Sequence, residues 1–373
     1  MTVSEALLNC ISAALDGREC ALTLAPDDWT ALLRLAGEQK LLPLVYAAVR
    51  GTPGFSAAPE AVRAAARRQT MREAAAQTVH TEAFLRLYQA LRAEGLAPVV
   101  VKGIVCRALY PQPELRPSSD EDLYLTAAEM PRFHAVLLRA GFVLTEPERD
   151  YRSAHEARYV QPDTGLIVEG HWALFPTEYA VYAALNVQLP DLMQRAQDWE
   201  SGGVTLRVPD ACDHLIFLLL HAFKHFISSG VGVRQLCDIA LWMRCFGAQI
   251  DWQRVRAALR ATHSEGFAAA VIDAGVHWFG LERAAAHIPP DWETLESAAL
   301  LADALSGGVY GSADSTRRHS CTITIHAADR AHRGGTGRAS LCAALFPGRE
   351  VMAGWYPYVA RCPALLPAAW AQR

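Results

Sequence analysis

Three carboxylates in the middle of this chain have the type and spacing for metal-assisted chemistry. Asp120 and Asp122 stand two residues apart near the end of the stretch VVVKGIVCRALYPQPELRPSSDEDLYL, residues 99–125. Strand side chains alternate between faces, so these two share one side and Glu121 takes the other. Paired carboxylates repel each other, and a divalent cation between them relieves this; Mg²⁺ bridging to phosphate oxygens is the usual case. Glu169, in the apolar run Leu166–Trp172, is the best third partner, because a lone carboxylate among apolar neighbours is costly to bury. His171 follows two residues on and shares its face. Carboxylates from two neighbouring strands can hold two Mg²⁺ (or Mn²⁺) ions about 3.5–4 Å apart and clamp a triphosphate against an attacking hydroxyl. Glu169 would touch one of the ions and accept the hydroxyl proton. The bland alternative makes Asp120 a loop cap and pairs Asp122 with Arg116, since D-x-D triplets are common by chance.

Further candidates surround this set. Gly103, after Lys102, lets backbone approach phosphate oxygens at a helix N-terminus. Lys102 either adds a point charge there or stays solvated. Arg116 and Ser118 lie in the loop ahead of the D-x-D; Arg116 either reaches a phosphate or braces the loop. His221, Lys224 and His225 fall at i, i+3 and i+4, hence on one helical face, and Arg234 and Asp238 share a face of the next helix. These five either line the cleft opposite the sheet, binding triphosphate or acceptor, or form an interdomain polar seam in which Arg234 and Asp238 pair. The two histidines at i, i+4 suit zinc, but no HExxH glutamate accompanies them and Lys224 repels a cation. His155 and Arg158 read as surface residues, and Arg317, Arg318 and His319 as part of a solvated loop. Trp172, Trp242, Trp355 and Trp370 read as packing residues.

The elements that position these groups follow from periodicity and punctuation. Residues 1–95 read as helical, with Ser4 capping a first helix, Asp27 or Asp28 a second, and Phe84, Leu87, Tyr88 and Leu91 forming a stripe. Residues 97–101 make a buried strand, 105–109 a helical turn or two, and 122–125 a second strand. A helix over 127–140 and a strand at 142–145 follow. The turn Pro162-Asp163-Thr164-Gly165 joins two strands as a hairpin. From about 177 the chain reads as helical again, with Asp210 capping 211–228 and a long loop near 306–340. The fold expected is α+β and mostly helical: a small mixed-sheet core (96–176) flanked by N-terminal (1–95) and C-terminal (177–373) helical regions.

Composition narrows the setting. The chain has 373 residues, is 51% hydrophobic and 20% charged, and carries a net charge of −4. That is enough apolar content for a sizeable core, and no Lys/Arg-rich tract marks an extended nucleic-acid surface. The N-terminus has no basic n-region, which reads against a signal peptide. The most apolar window, Leu215–Leu220, is too short to span a bilayer. A cytoplasmic protein with no membrane partner is expected. The nine cysteines form no CxxC pair and read as reduced thiols.

One resemblance gathers these pieces. Lys102-Gly103, then Leu109-Tyr110-Pro111, Arg116, and Asp120-Glu121-Asp122-Leu123, followed by Glu169-Gly170-His171-Trp172, His221-x-x-Lys224-His225 and Arg234…Asp238, resemble the uncharacterised nucleotidyltransferase family of the DNA polymerase β-like nucleotidyltransferase superfamily. The stretches DWTALLRLAGEQKLLPLVY and LFPGREVMAGWYP fit as well. Two departures from the superfamily pattern stand out: no serine follows Gly103, and the third carboxylate is Glu169 where Asp is more usual. The resemblance implies transfer of a nucleoside monophosphate from an NTP, ATP foremost, to an unknown hydroxyl-type acceptor on a small molecule, peptide or protein. In it Asp120 and Asp122 bind both metals and Glu169 binds one. A catalytically weak nucleotide-binding scaffold or regulator is the alternative.

Overall fold

The computed structural model describes residues 1–147, 155–177, 179–307 and, beyond these, 325, 329, 349, 352 and 357–368. Five helices open the chain: α1 (Val3–Leu15), α2 (Pro26–Glu38), α3 (Leu42–Val49), α4 (Pro53–Ser56) and α5 (Glu60–Ala93). The cap of α1 is Thr2 rather than Ser4, because Thr2 and Glu5 form a reciprocal capping box. Helix α2 begins after Ala25 with Pro26 in its first turn, so Asp27 and Asp28 complement the helix dipole instead of capping it. The stripe on α5 is buried at Phe84, Leu87, Tyr88 and Leu91. Tyr88 ties α5 to the sheet: its hydroxyl donates to the Pro98 carbonyl and accepts from the Arg207 N–H.

The centre is a seven-stranded mixed sheet in the order β3-β4-β5-β2-β1-β7-β6. Its strands are β1 (Val99–Val100), β2 (Asp120–Tyr124), β3 (Val143–Leu144), β4 (Glu156–Val160), β5 (Ile167–His171), β6 (Gln197–Ser201) and β7 (Val204–Val208). Between β1 and β2 lies the short helix α6 (Ile104–Arg107), and between β2 and β3 lies α7 (Met130–Arg139). Strands β4 and β5 form the expected hairpin, and β5 then pairs with β2 in parallel. The β6–β7 pair corrects the expectation of helix throughout 177 onward. It is a hairpin closed by Gly202-Gly203, both at positive φ, and β7 joins β1 in parallel.

Helices α8 (Ala180–Asn186) and α9 (Leu192–Arg195) precede that hairpin, and α10 (Ala211–Ser228), α11 (Val233–Phe246), α12 (Trp252–Ala261), α13 (Glu265–Trp278) and α14 (Ala298–Gly307) follow it. Asp210 caps α10, accepting from the Asp213 N–H at 2.7 Å. The protein is thus α+β and mostly helical, with one hydrophobic core running from the N-terminal helices through the sheet to the C-terminal ones. Among the described residues no helix is long and apolar enough to cross a membrane. The seven described cysteines are free thiols. Trp242 is buried and Trp172 packs against the core. Trp355, Trp370, Arg317, Arg318, His319 and most of the loop near 306–340 lie outside the described residues.

Candidate active site

Strand register brings the central acids together. In the parallel β2–β5 pair, Asp122 stands level with Glu169 and Tyr124 with His171. The period-two alternation then puts Asp120, Asp122, Glu169 and His171 on one face. The other face is closed. A Cβ on Gly170 would lie 2.5 Å from the Phe133 ring of α7, so glycine is what lets α7 pack there. Glu121 is also on the closed side, 1% exposed.

The open face lines a cavity of about 380 Å³. Its walls include Lys102, Ser119, Asp120, Asp122, Glu169 and His171 from the sheet side and His221, Lys224 and His225 from α10. Lys102 Nζ lies 2.9 Å from Asp122 Oδ2 and 3.5 Å from His221 Nε2. His171 Nε2–H donates to Asp122 Oδ1 at 3.2 Å, and the same nitrogen is 3.8 Å from Glu169 Oε2. The His221 and His225 Nε2 atoms are 3.3 Å apart.

Charge is unevenly distributed over this surface. Burial alone would raise the Asp122 carboxyl, but Lys102 and His171 overcome it and hold Asp122 well below the usual carboxylate range. Glu169 goes the other way: burial, then the neighbouring Asp122 and Asp120, push it up to about 7. Burial opposes a charge on His171, yet its bond to Asp122 and the nearby Glu156 and Glu169 raise its pKa. Burial lowers His221, His225 and Lys224.

Several expected site residues are placed elsewhere, each for a physical reason. Arg116 is 2% exposed and forms a two-pronged pair with Asp238, at 2.8 and 2.5 Å, while Tyr110 donates to the same carboxylate at 2.8 Å. Arg234 donates to the Pro117 carbonyl. These three residues brace the loop ahead of the D-x-D against α11 and do not line the cavity. Arg234 and Asp238 therefore do not form the pair expected of a seam. Ser118 turns toward α5: its N–H donates to Gln77 Oε1 at 2.7 Å and its hydroxyl accepts from Arg107.

Gly103 is corrected most sharply. The N-terminus of α6 is already taken by protein, because Glu121 Oε2 accepts the Ile104 N–H at 2.8 Å and Arg107 pairs with Glu121 Oε1. Gly103 has φ +58, and a Cβ there would fall 1.9 Å from Glu121 Oε2. The glycine makes room for a buried carboxylate rather than for a phosphate.

Two lining residues went unrecognised in the sequence. Glu156 stands opposite His171 in the β4–β5 hairpin, and Arg158 opposite Glu169. Arg158 is half-exposed, as a surface residue would be, yet its Nε lies 3.4 Å from Glu169 Oε1. The signal was the hairpin register, which puts Glu156 and Arg158 on the face of His171 and Glu169.

The donor set suits a hard divalent cation. Ligand atoms of Asp122, Glu169 and His171 lie within 4.8 Å of one another, Asp120 lines the same cavity, and carboxylate oxygens are the ligands that Mg²⁺ or Mn²⁺ takes. Asp122 and Glu169 level on adjacent parallel strands, with Asp120 on the same face beneath the lysine-bearing α10, are in keeping with a protein of the nucleotidyltransferase class. The chain belongs to the uncharacterised nucleotidyltransferase family, whose match spans residues 25–280 and takes in every residue lining the cavity. No curated protein and no solved structure matches the chain.

Proposed function

We propose that this protein is a divalent-metal-dependent nucleotidyltransferase moving a nucleoside monophosphate from an NTP, ATP foremost, to a hydroxyl on a small molecule, peptide or protein. The observation that carries this reading is the level placement of Asp122 and Glu169 on adjacent parallel strands, with Asp120 on the same face. Asp120, Asp122 and Glu169 would hold Mg²⁺ or Mn²⁺, which when bound neutralises phosphate charge and polarises the transferred phosphoryl group. The chain's own groups do the rest. Lys102 and Lys224 offset the negative charge of a triphosphate entering between sheet and α10. His221 and His225, kept neutral by burial and nearby cations, can contact the nucleotide or acceptor without adding charge. Glu169, on the open face beside Asp122, is the carboxylate that accepts the proton of the attacking hydroxyl. Arg158 steadies that carboxylate from β4.

A second reading has its own support. Lys102 already neutralises Asp122 at 2.9 Å, as it would in a scaffold that binds nucleotide and turns over poorly. Incubation with Mg²⁺ or Mn²⁺, each labelled NTP and candidate acceptors separates the two. Acceptor-dependent pyrophosphate release, lost in Asp120→Asn plus Asp122→Asn, supports the enzyme. Unchanged release in that double variant refutes the site assignment. Nucleotide binding with no release supports the scaffold.

A further inference from the structure

Lys102 holds a position that offsetting a triphosphate does not by itself explain. The chain reaches it along β1, where the Val101 N–H donates to the Asp122 carbonyl at 3.2 Å, so the β1–β2 pairing sets Lys102 beside Asp122. The turn that follows is closed: the Lys102 carbonyl accepts the Val105 N–H at 3.2 Å, and Gly103 is packed against the Glu121 carboxylate. The backbone is therefore held, and the side chain alone is left to move. Its ammonium lies 2.9 Å from Asp122 Oδ2, the two side chains being 13% and 5% exposed, and 3.5 Å from His221 Nε2 on α10. Lys102 thus spans the cavity from the sheet to the facing helix.

Asp122 is consequently engaged on both oxygens, by Lys102 at Oδ2 and by His171 Nε2 at Oδ1. A Mg²⁺-type ion bonds a carboxylate oxygen at about 2.0–2.1 Å. With the 2.9 Å contact kept, an ion on Oδ2 stands at most about 5 Å from the ammonium. Even with water-like screening, a unit charge that close weakens the binding of a divalent ion roughly tenfold, and a partly enclosed cavity screens less. The ion and the lysine therefore compete for Asp122. A triphosphate reverses the balance, because its clustered charge attracts an ammonium on a flexible stem more strongly than one carboxylate does.

We propose that Lys102 is a displaceable counter-ion, which keeps a divalent cation off Asp122 until a triphosphate draws the ammonium away. The free ion is then held weakly, and binds well only in company with the nucleotide. This builds on the metal-dependent reading of the cavity and adds an order of assembly to it.

The test titrates the full chain with Mn²⁺ in the absence of nucleotide and reads the free ion by electron paramagnetic resonance. Lys102→Gln and Lys102→Met remove the charge, and each should tighten Mn²⁺ binding at least about tenfold. Lys102→Arg keeps the charge and should bind Mn²⁺ no more tightly than the wild type. Asp122→Asn should abolish the gain when combined with Lys102→Gln. In the wild-type background it should weaken Mn²⁺ binding less than about threefold, because Lys102 already occupies that carboxylate. Circular dichroism confirms the fold of each variant, and the single Asp122→Asn comparison stands even where a neutral Lys102 variant fails to fold. No gain in either neutral variant, an equal gain in Lys102→Arg, a gain that survives Asp122→Asn, or a tenfold loss in Asp122→Asn alone would each overturn the proposal. Pyrophosphate release is read separately. A Mn²⁺ gain with no release by the wild type sinks nucleotidyl transfer and leaves the counter-ion standing, whereas release with no gain sinks the counter-ion alone.

Discussion

Replacing Glu169 by Gln should stabilise the metal-free protein above neutral pH, although it removes a residue of the proposed site. The Glu169 carboxyl is pushed from an ordinary glutamate value near 4.3 up to about 7 by burial and by Asp122 and Asp120. Each tenfold change in proton affinity is worth about 1.4 kcal/mol, so ionising Glu169 in the folded chain costs roughly 3–4 kcal/mol relative to the unfolded one. The sign follows from proton counting. Between pH 4.5 and 7 the folded state holds a proton that the unfolded state has released. The contribution to stability is therefore complete below the unfolded value and lost as pH rises through about 7. A Gln cannot ionise and avoids this loss, at the cost of an amide beside Arg158, 3.4 Å from the carboxylate. The expected gain for Glu169→Gln is about 1–3 kcal/mol at pH 8 without metal, shrinking toward zero or reversing at pH 5. Urea unfolding at both pH values, with and without Mg²⁺, measures it. Mg²⁺ should stabilise the wild type more than the variant. A variant that is equally destabilised at both pH values, and equally responsive to Mg²⁺, would refute both the charge crowding and the metal role.

Other outcomes follow from the same geometry. Asp120→Asn plus Asp122→Asn should cut NTP turnover by at least about 10³-fold, as expected when several kcal/mol of transition-state charge stabilisation are lost. Single-turnover pyrophosphate release checks this. Gly103→Ala should destabilise the fold by about 1–3 kcal/mol or more, because it combines a strained φ with a collision at Glu121. If Gly103 cradled phosphate instead, its denaturation midpoint would hold and nucleotide affinity alone would fall. Asp238→Ala should cost about 3–5 kcal/mol by stranding the buried Arg116, a loss visible in thermal unfolding before any assay of activity.

Much of the site was legible because strand alternation is a strict rule. The D-x-D pair, Glu169 and His171 share a face by period two, and the hairpin turn fixed where Glu169 would stand. The i, i+3, i+4 spacing of His221, Lys224 and His225 likewise put them on one face of α10. What escaped reading were partnerships set by tertiary packing. Nothing local says that Arg116 would seek Asp238 across 122 positions, or that Glu121 would fold back onto the α6 N-terminus. In each case a buried charge took the nearest buried counter-charge, which left it unable to serve a ligand. Arg158 was misread for the opposite reason: an exposed strand residue looks like surface unless its cross-strand partner is known. The β6–β7 hairpin was available in the alternation of VTLRV after Gly-Gly, but lay in a stretch dominated by helical signals.

The contact between Phe133 and Gly170 has a consequence for how the site can change. Slide β5 by one residue against β2 and either Glu169 or His171 is driven into the Phe133 ring, where only a hydrogen atom fits. A two-residue slide restores the alternation of faces but moves Glu169 out of level with Asp122. Only one alignment therefore satisfies both sides of the sheet at once. Its dry side proofreads its wet side: a chain that has packed Phe133 correctly has, by the same step, put its acids in line. Insertions in the β4–β5 turn should be accepted or rejected by that ring before any ligand is encountered.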